Sequence, residues 1–286
     1  MAEATEAPIR QNPIDARPWT FYALGTLFGL YLLFLYGPML VIYALSFQGP
    51  HGGVTFPIVD PSLEWFRDVW KPGQMANIPV ALWRSMALAG IVCLLTVVIS
   101  LAAGLAYRRP FPGSGVVFYL AVSSLVMPSL LVGFGIGLGF QFLGLQPSLL
   151  TSALGAHLTW TLPFGLLTMF AVVNRFDRSW EEAATDLGAT SLQRLRYVTL
   201  PILLPGILGV GLSAFTLSYD EYARTTLTIG ARNTLPLEIY ALISSQTTPM
   251  VFALGTLTTA ASFLLIGVTV VALLRLQRRR ERARRA

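Results

Sequence analysis

The sequence predicts an all-α membrane protein, a bundle of six transmembrane helices, and three observations carry that expectation. Of its 286 residues 54% are hydrophobic and only 12% charged, about half the charged share of an average soluble domain. The apolar residues are gathered into long blocks, with nothing charged in 85–107, 110–174, 197–219 or 239–274. Isolated blocks of that length must satisfy their own backbone groups in hydrocarbon, so they form helices; barrel strands are about half as long. One bundle uses up the chain and leaves no stretch for a separate soluble domain.

Residues 1–18 read as a polar tail, with Glu3, Glu6 and Asp15 against Arg10 and Arg17 and three prolines. They lack the basic start, short apolar core and small-residue cleavage site of a signal peptide. The first span is expected at 21–45, twenty-five uncharged residues. At about 1.5 Å per residue it crosses a core of about 30 Å with some tilt and acts as an uncleaved anchor. Between it and the second span, Leu63, Phe66, Val69 and Trp70 make a helical apolar stripe bounded by Pro61 and Pro72. A short interfacial helix fits there, lying on lipid or meeting another protein.

Five more spans are expected at 85–107, 116–139, 149–173, 202–219 and 252–274. The fifth is short and opens with Pro201 and Pro205, tolerable where the first amides of a helix have no partner. The membrane domain is thus 19–274, followed by a basic tail at 275–286. In the third span Gly133, Gly135, Gly137 and Gly139 favour close helix packing, or a kink with Pro128, over solute contact.

Orientation follows from the twenty Lys and Arg residues. The N-terminal tail, the turn at Arg108 and Arg109, the loop with Arg175, Arg178, Arg194 and Arg196, and the C-terminal tail hold fifteen of them. Arg67, Lys71, Arg84, Arg224 and Arg232 fall in the opposite loops, so both ends are expected to be cytoplasmic. A topology lock near anionic lipid is favoured for the basic tail over a nucleic-acid patch.

Several chemistries lose their usual parts. The single lysine, Lys71, precedes Pro72, so no Gly-Lys-Ser/Thr phosphate cradle exists in the sequence. The expected spans contain no Asp, Glu, Lys or Arg, and His157 is their only imidazole. Proton relays and voltage sensors are built from such groups, so uphill movement of a solute requires energy from a partner. The lone Cys93 permits no intrachain disulfide and reads as packing; His157, without a second ligand, reads as packing too.

The loop 174–197 is the one cytoplasmic segment long enough to be structured. Trp180, Ala183, Ala184 and Leu187 fall on one helical stripe while Glu181, Glu182 and Asp186 face elsewhere. Gly188 breaks that helix, and Leu192 and Leu195 begin a second register before a stop at Leu200-Pro201. A lipid-binding helix favours basic residues on its polar face. Three acids against Arg178 favour protein docking instead.

These residues resemble a known family. Glu182-Ala183-Ala184, three residues, Gly188, nine residues, Val198, one residue, then Leu200-Pro201 is similar to the EAA motif of binding-protein-dependent ABC importer permeases, with Val198 where Ile is usual. Ser62 to Phe66, Ala81 to Ala89, Met127-Pro128, His157 to Pro163, Phe176 to Trp180, Leu217 to Glu221 and Leu235 to Tyr240 resemble the spermidine/putrescine-type subfamily. The resemblance implies a MetI-like six-helix permease of the bacterial inner membrane with a cytoplasmic coupling helix, a transport subunit and not an enzyme. It implies as partners a second permease chain, two ATPase subunits and an extracytoplasmic solute-binding protein, ATP and Mg being bound by the ATPase and no cofactor by this chain. Coupling is expected to run through Glu181, Glu182, Ala183, Ala184, Asp186, Gly188, Leu200 and Pro201. The implied solute is a polyamine or related organic cation, with ferric iron, thiamine, and opine or amino-acid derivatives as alternatives within the same importer class.

For the solute path, Asp220 and Glu221 stand at the outer end of the fifth span beside Tyr219 and Tyr222, where carboxylates and aromatic faces suit ammonium groups. Polar caps at the lipid boundary are an equal alternative, and Arg224 nearby would neutralise one acid. For Trp160 and Pro163, packing is favoured over shaping the cavity. A lipid-acting membrane enzyme lacks a nucleophile, paired acids or a metal cluster beyond these adjacent carboxylates. A passive channel leaves the cytoplasmic motif unexplained.

Overall fold

The computed structural model describes residues 18–71, 77–109, 111–245 and 248–285, so the expected N-terminal tail lies, but for Pro18, outside them. All regular structure among the described residues is helical. Five helices are long and apolar enough to cross a membrane: Trp19–Leu45, Ile78–Ala106, Leu149–Asn174, Ser191–Tyr219 and Met250–Val268.

The stretch expected as the third span is two helices, α4 (Ser114–Ser123) and α5 (Ser129–Phe142). Pro128 sits at the break as the N-cap of α5; proline has no amide for the ladder and drives the residue before it out of the helical region. The helix of the expected second span, α3 (Ile78–Ala106), begins seven residues before the expected start at 85. Asn77 caps it by accepting from the Val80 amide at 3.3 Å, and Pro79 suits the first turn. Arg84 is therefore inside a helix, its Nη1 donating to the Asn233 carbonyl at 3.2 Å.

The expected stop at Leu200-Pro201 is overturned as well. After α8 (Ser191–Arg194) the chain makes a π-helical turn at Leu195–Thr199 and continues without interruption into α9 (Leu200–Tyr219). The Leu200 amide bonds the Leu195 carbonyl, five residues back. That wider turn makes room before a proline that would crowd the preceding turn of an ordinary helix.

The chain divides into two compact units. One comprises α1 (Trp19–Leu45), the loop after it as far as Phe66, and residues 248–261, which include the start of the last helix. Its loop is organised by the wholly buried Gln48, which donates to the carbonyls of Gly53 (3.0 Å) and Thr55 (3.2 Å) and accepts from the Val59 amide (2.7 Å). The expected interfacial helix is α2 (Glu64–Asp68), a single turn at the end of this loop.

In the other unit α3, α9 and α6 (Leu154–Asn174) pack on one another. Met169, Val173, Phe176, Leu203 and Val210 form one buried cluster, and Leu88, Val92, Ala153, Ile229 and Leu237 a second. Between α3 and α6 the Thr96 and Thr161 hydroxyls bond each other at 2.9 Å, satisfying both polar groups where neither meets solvent. Helix α7 (Ser179–Asp186) follows α6; α10 (Ala223–Thr228) and α11 (Leu235–Ser245) follow α9. The backbone of α12 (Met250–Arg285) stays helical well past the expected end at 274.

Candidate functional site

Two groups of the expected residues are assembled, one at each end of α9. Its 20 residues make a rod of about 30 Å, the thickness of a hydrocarbon core.

At the Leu200 end lies the hairpin of α7 and α8. The Asp177 carboxylate accepts from the Ser179 amide at 3.0 Å; the backbone and side-chain donors of Ser179 hold its carboxyl below the usual aspartate range. Helix α7 ends at Gly188, whose φ of +83° is the left-handed conformation that glycine adopts freely. Thr190 and Gln193 then start α8 with a reciprocal cap: the Thr190 amide donates to Gln193 Oε1 at 2.8 Å, and the Gln193 amide donates to Thr190 Oγ1 at 3.4 Å.

Glu181 points inward. Its carboxylate accepts from Arg108 Nη1 at 2.9 and 3.1 Å and from Thr199 Oγ1 at 2.6 Å. The Arg108 guanidinium also stands 4.8 Å over the Phe176 ring, and its carbonyl accepts from the Arg178 side chain. Burial opposes ionisation of Glu181, but the bonds from Arg108 and Thr199 and the charges of Arg108 and Arg194 prevail, holding its carboxyl below the ordinary glutamate range. One side chain thus fastens α7 to the end of α3 and to the π-helical turn that leads into α9.

The opposite face of the hairpin is open. Trp180 is 59% exposed, Leu187 89% and Tyr197 68%, and Glu182, Ala183 and Asp186 are exposed beside them. Ala184 and Leu200 are half-buried, and Pro201 is exposed. At the elbow Leu187, Gly188, Ala189, Gln193, Tyr197 and Val198 line a notch of about 330 Å3. The apolar stripe read from the sequence is therefore left uncovered by the chain's own core, with carboxylates at its rim.

At the Tyr219 end a cavity of about 370 Å3 is lined by Trp160, Thr216, Leu217, Asp220, Glu221, Tyr222 and Ala223. It brings together four of the five expected path residues. The fifth, Tyr219, stacks on Phe215 with ring centroids 6.1 Å apart. Tyr222 packs against Tyr240 at 4.9 Å. Behind the cavity wall Arg224 is wholly buried, its guanidinium 4.8 Å over the Trp160 ring and its Nη1 donating to Glu221 Oε2 at 3.3 Å. Glu221 Oε1 accepts from the Arg224 amide at 2.9 Å. His157 is buried below, one ring nitrogen bonded to Ser218 Oγ and the other to Thr225 Oγ1, each at 2.8 Å. With both nitrogens engaged by hydroxyls, its observed place is structural.

The glycines of α5 explain how α10 reaches this position. A Cβ at Gly133 would stand 3.0 Å from the Arg224 carbonyl oxygen, and one at Gly137 would stand 2.7 Å from that of Leu227. Absence of side chains there lets α10 lie against α5.

Sequence reasoning missed Arg108 and Thr199 as partners of Glu181, and the stacking of Arg224 on Trp160. The only signal for the first was an arginine directly after a span, which the charge distribution already accounted for.

A family model described as binding-protein-dependent transport system inner membrane component matches residues 96–283. The spermidine/putrescine transport system permease protein PotC of Haemophilus influenzae is 32% identical over 244 residues, covering 82% of this chain and 89% of that protein. The putrescine transport system permease protein PotI of Escherichia coli (strain K12) is 29% identical over 254 residues, covering 86% and 87%. Among solved structures, a bacterial ABC transporter involved in the import of the acidic polysaccharide alginate matches with TM-score 0.63 and 19% identity, covering 92% of this chain and 99% of that one. The MetNI methionine ABC transporter in an inward-facing conformation matches with TM-score 0.54 and 20% identity, covering 68% and 93%. These structural likenesses establish the fold.

Proposed function

Because the chain belongs to the binding-protein-dependent transport system inner membrane components, we propose that it is a permease subunit of an ATP-driven importer, forming half of the translocation pathway for a polyamine such as spermidine or putrescine or a related organic cation. The observation that carries this reading is the hairpin: Glu181 fastens it to two membrane helices from within, while Trp180, Glu182, Ala183, Asp186 and Leu187 remain open for a partner. The partner docked there is an ATPase subunit, which binds ATP and Mg; this chain binds neither. Glu182 and Asp186 meet basic residues at the rim of its groove, Ala183 and Ala184 allow close approach, and Gly188 supplies the turn. ATP-driven closure of two such subunits moves the hairpin, and the ends of α3 and α9 move with it.

In this reading the hairpin and both chain ends are cytoplasmic, a second permease chain completes the pore, and an extracytoplasmic binding protein delivers the solute. The cavity of Trp160, Asp220, Glu221 and Tyr222 then lies on the solute path, where a carboxylate and aromatic faces receive an ammonium group. The solute preference is supported by the two relatives whose names specify spermidine and putrescine.

Affinity purification of the tagged chain from its native membrane tests the class, since an importer subunit brings down an ATPase and a second permease. Uptake of labelled putrescine by the same cells, lost when the gene is deleted, tests the solute. Recovery of neither partner returns the chain to the channel alternative, and putrescine uptake unaffected by deletion moves the solute to another of the importer's classes.

A further inference from the structure

The two adjacent acids of the cavity have different partners. Glu221 is committed: one oxygen accepts from the Arg224 amide and the other from the Arg224 guanidinium. The Asp220 carboxylate accepts no hydrogen bond and forms no ion pair among the described residues, and it is exposed where it lines the cavity. Arg224 itself is wholly buried, with Nε and Nη2 lacking hydrogen-bond partners among the described residues. A buried guanidinium is expensive to hold without full compensation, and this one is kept where it touches two cavity-lining side chains, Glu221 and Trp160.

Resting on the reading of this cavity as the solute path, we propose that Arg224 is a specificity-determining positioning residue: it neutralises Glu221 and fixes Trp160, reserving Asp220 as the one free carboxylate, so that the cavity receives a single ammonium group at a time. A diamine or triamine passes end-on, one charged group against Asp220 while its methylene chain lies along Trp160 and Tyr222. Without Arg224, Glu221 becomes a second anion beside Asp220, and the cavity gains preference for solutes that present two positive charges together.

The test measures uptake of labelled putrescine by cells that carry the chain with its partner subunits, in competition with unlabelled putrescine and with butylamine, which has the same carbon chain and one ammonium group. Asp220→Asn is expected to weaken competition by both amines about tenfold. Arg224→Gln is expected to improve putrescine relative to butylamine about fivefold, the size of effect that one partly screened charge gives. Adding Glu221→Gln to Arg224→Gln should return the ratio to its parental value, a reversal that damaged packing would not produce, and Arg224→Lys should hold it. A ratio unchanged in Arg224→Gln, or a shift that persists in the double variant, overturns the inference. Parental competition in Asp220→Asn overturns the assignment of the cavity to the solute path, and this inference with it. Carbodiimide labelling of the unmutated protein gives a readout independent of variant folding: Asp220 should be modified and protected by putrescine, and equal modification of Glu221 contradicts its engagement by Arg224.

Discussion

The Arg108 guanidinium meets the Glu181 carboxylate at 2.9 Å across 73 positions of sequence. Their side chains are only 14% and 23% exposed, so water screens the pair far less than an ordinary surface ion pair. Thr199 donates to the same carboxylate oxygen. A displacement of α7 therefore loads the end of α3 and the approach to α9 together.

Glu181→Gln keeps the shape of the side chain but leaves Arg108 without its counter-charge. The loss is expected to be about 1–3 kcal/mol, the usual result of stripping one partner from a charged hydrogen bond in a partly buried site. Thermal unfolding of the purified protein measures it. Glu182→Gln, on the exposed face, should fall within about 0.5 kcal/mol of the parent. Equal melting temperatures for all three proteins would deny the tie any structural weight.

The same carboxyl sets an acid limb on stability. Its folded pKa is depressed, so its contribution is fully present above the ordinary glutamate value of about 4.3 and disappears as pH falls through the lower folded value. The difference in melting temperature between parent and Glu181→Gln should be constant at neutral pH and shrink in acid. A difference that widens in acid would mean that folding raises the Glu181 pKa instead of depressing it.

Charge reversal on the open face tests coupling. Glu182→Arg alters no hydrogen bond or ion pair of the folded chain, since its carboxylate has none among the described residues, but it presents a cation to the proposed ATPase groove. Membrane insertion should be normal, while solute-stimulated ATP hydrolysis and uptake by the assembled importer fall at least about tenfold, the consequence of losing roughly 1.4 kcal/mol at an interface. Uptake at the parental rate would remove Glu182 from the docking contact.

The long helices were legible because apolar runs of 18 residues or more have one stable form in hydrocarbon. The hairpin was legible because Gly188 and the 3.6-residue stripe are local signals. What escaped depends on partners distant in sequence. Glu181 and Glu182 are neighbours of identical chemistry, and only the approach of Arg108 decides which one turns inward. Pro201 was expected to end a helix because a proline fits poorly inside one, yet a preceding π-helical turn accommodates it. That Arg224 would neutralise one of Asp220 and Glu221 was legible from its closeness in sequence; which of the two is decided by the first turn of α10, where the Arg224 amide and guanidinium both reach Glu221.

The packing of α10 offers a final comparison within one helix. Gly135 and Gly137 lie two residues apart in α5, but a Cβ at 135 meets nothing within 4 Å, whereas one at 137 would stand 2.7 Å from the Leu227 carbonyl oxygen. Gly135→Ala should be neutral or stabilising by up to about 1 kcal/mol, because alanine is the better helix former. Gly137→Ala forces backbone to move, at about 1–3 kcal/mol, and the element it pushes carries Arg224. Its effect should therefore reach beyond melting temperature to a changed competition between putrescine and butylamine, which Gly135→Ala leaves at the parental ratio. Matching behaviour of the two variants would mean that α10 is positioned by contacts other than its close approach to α5.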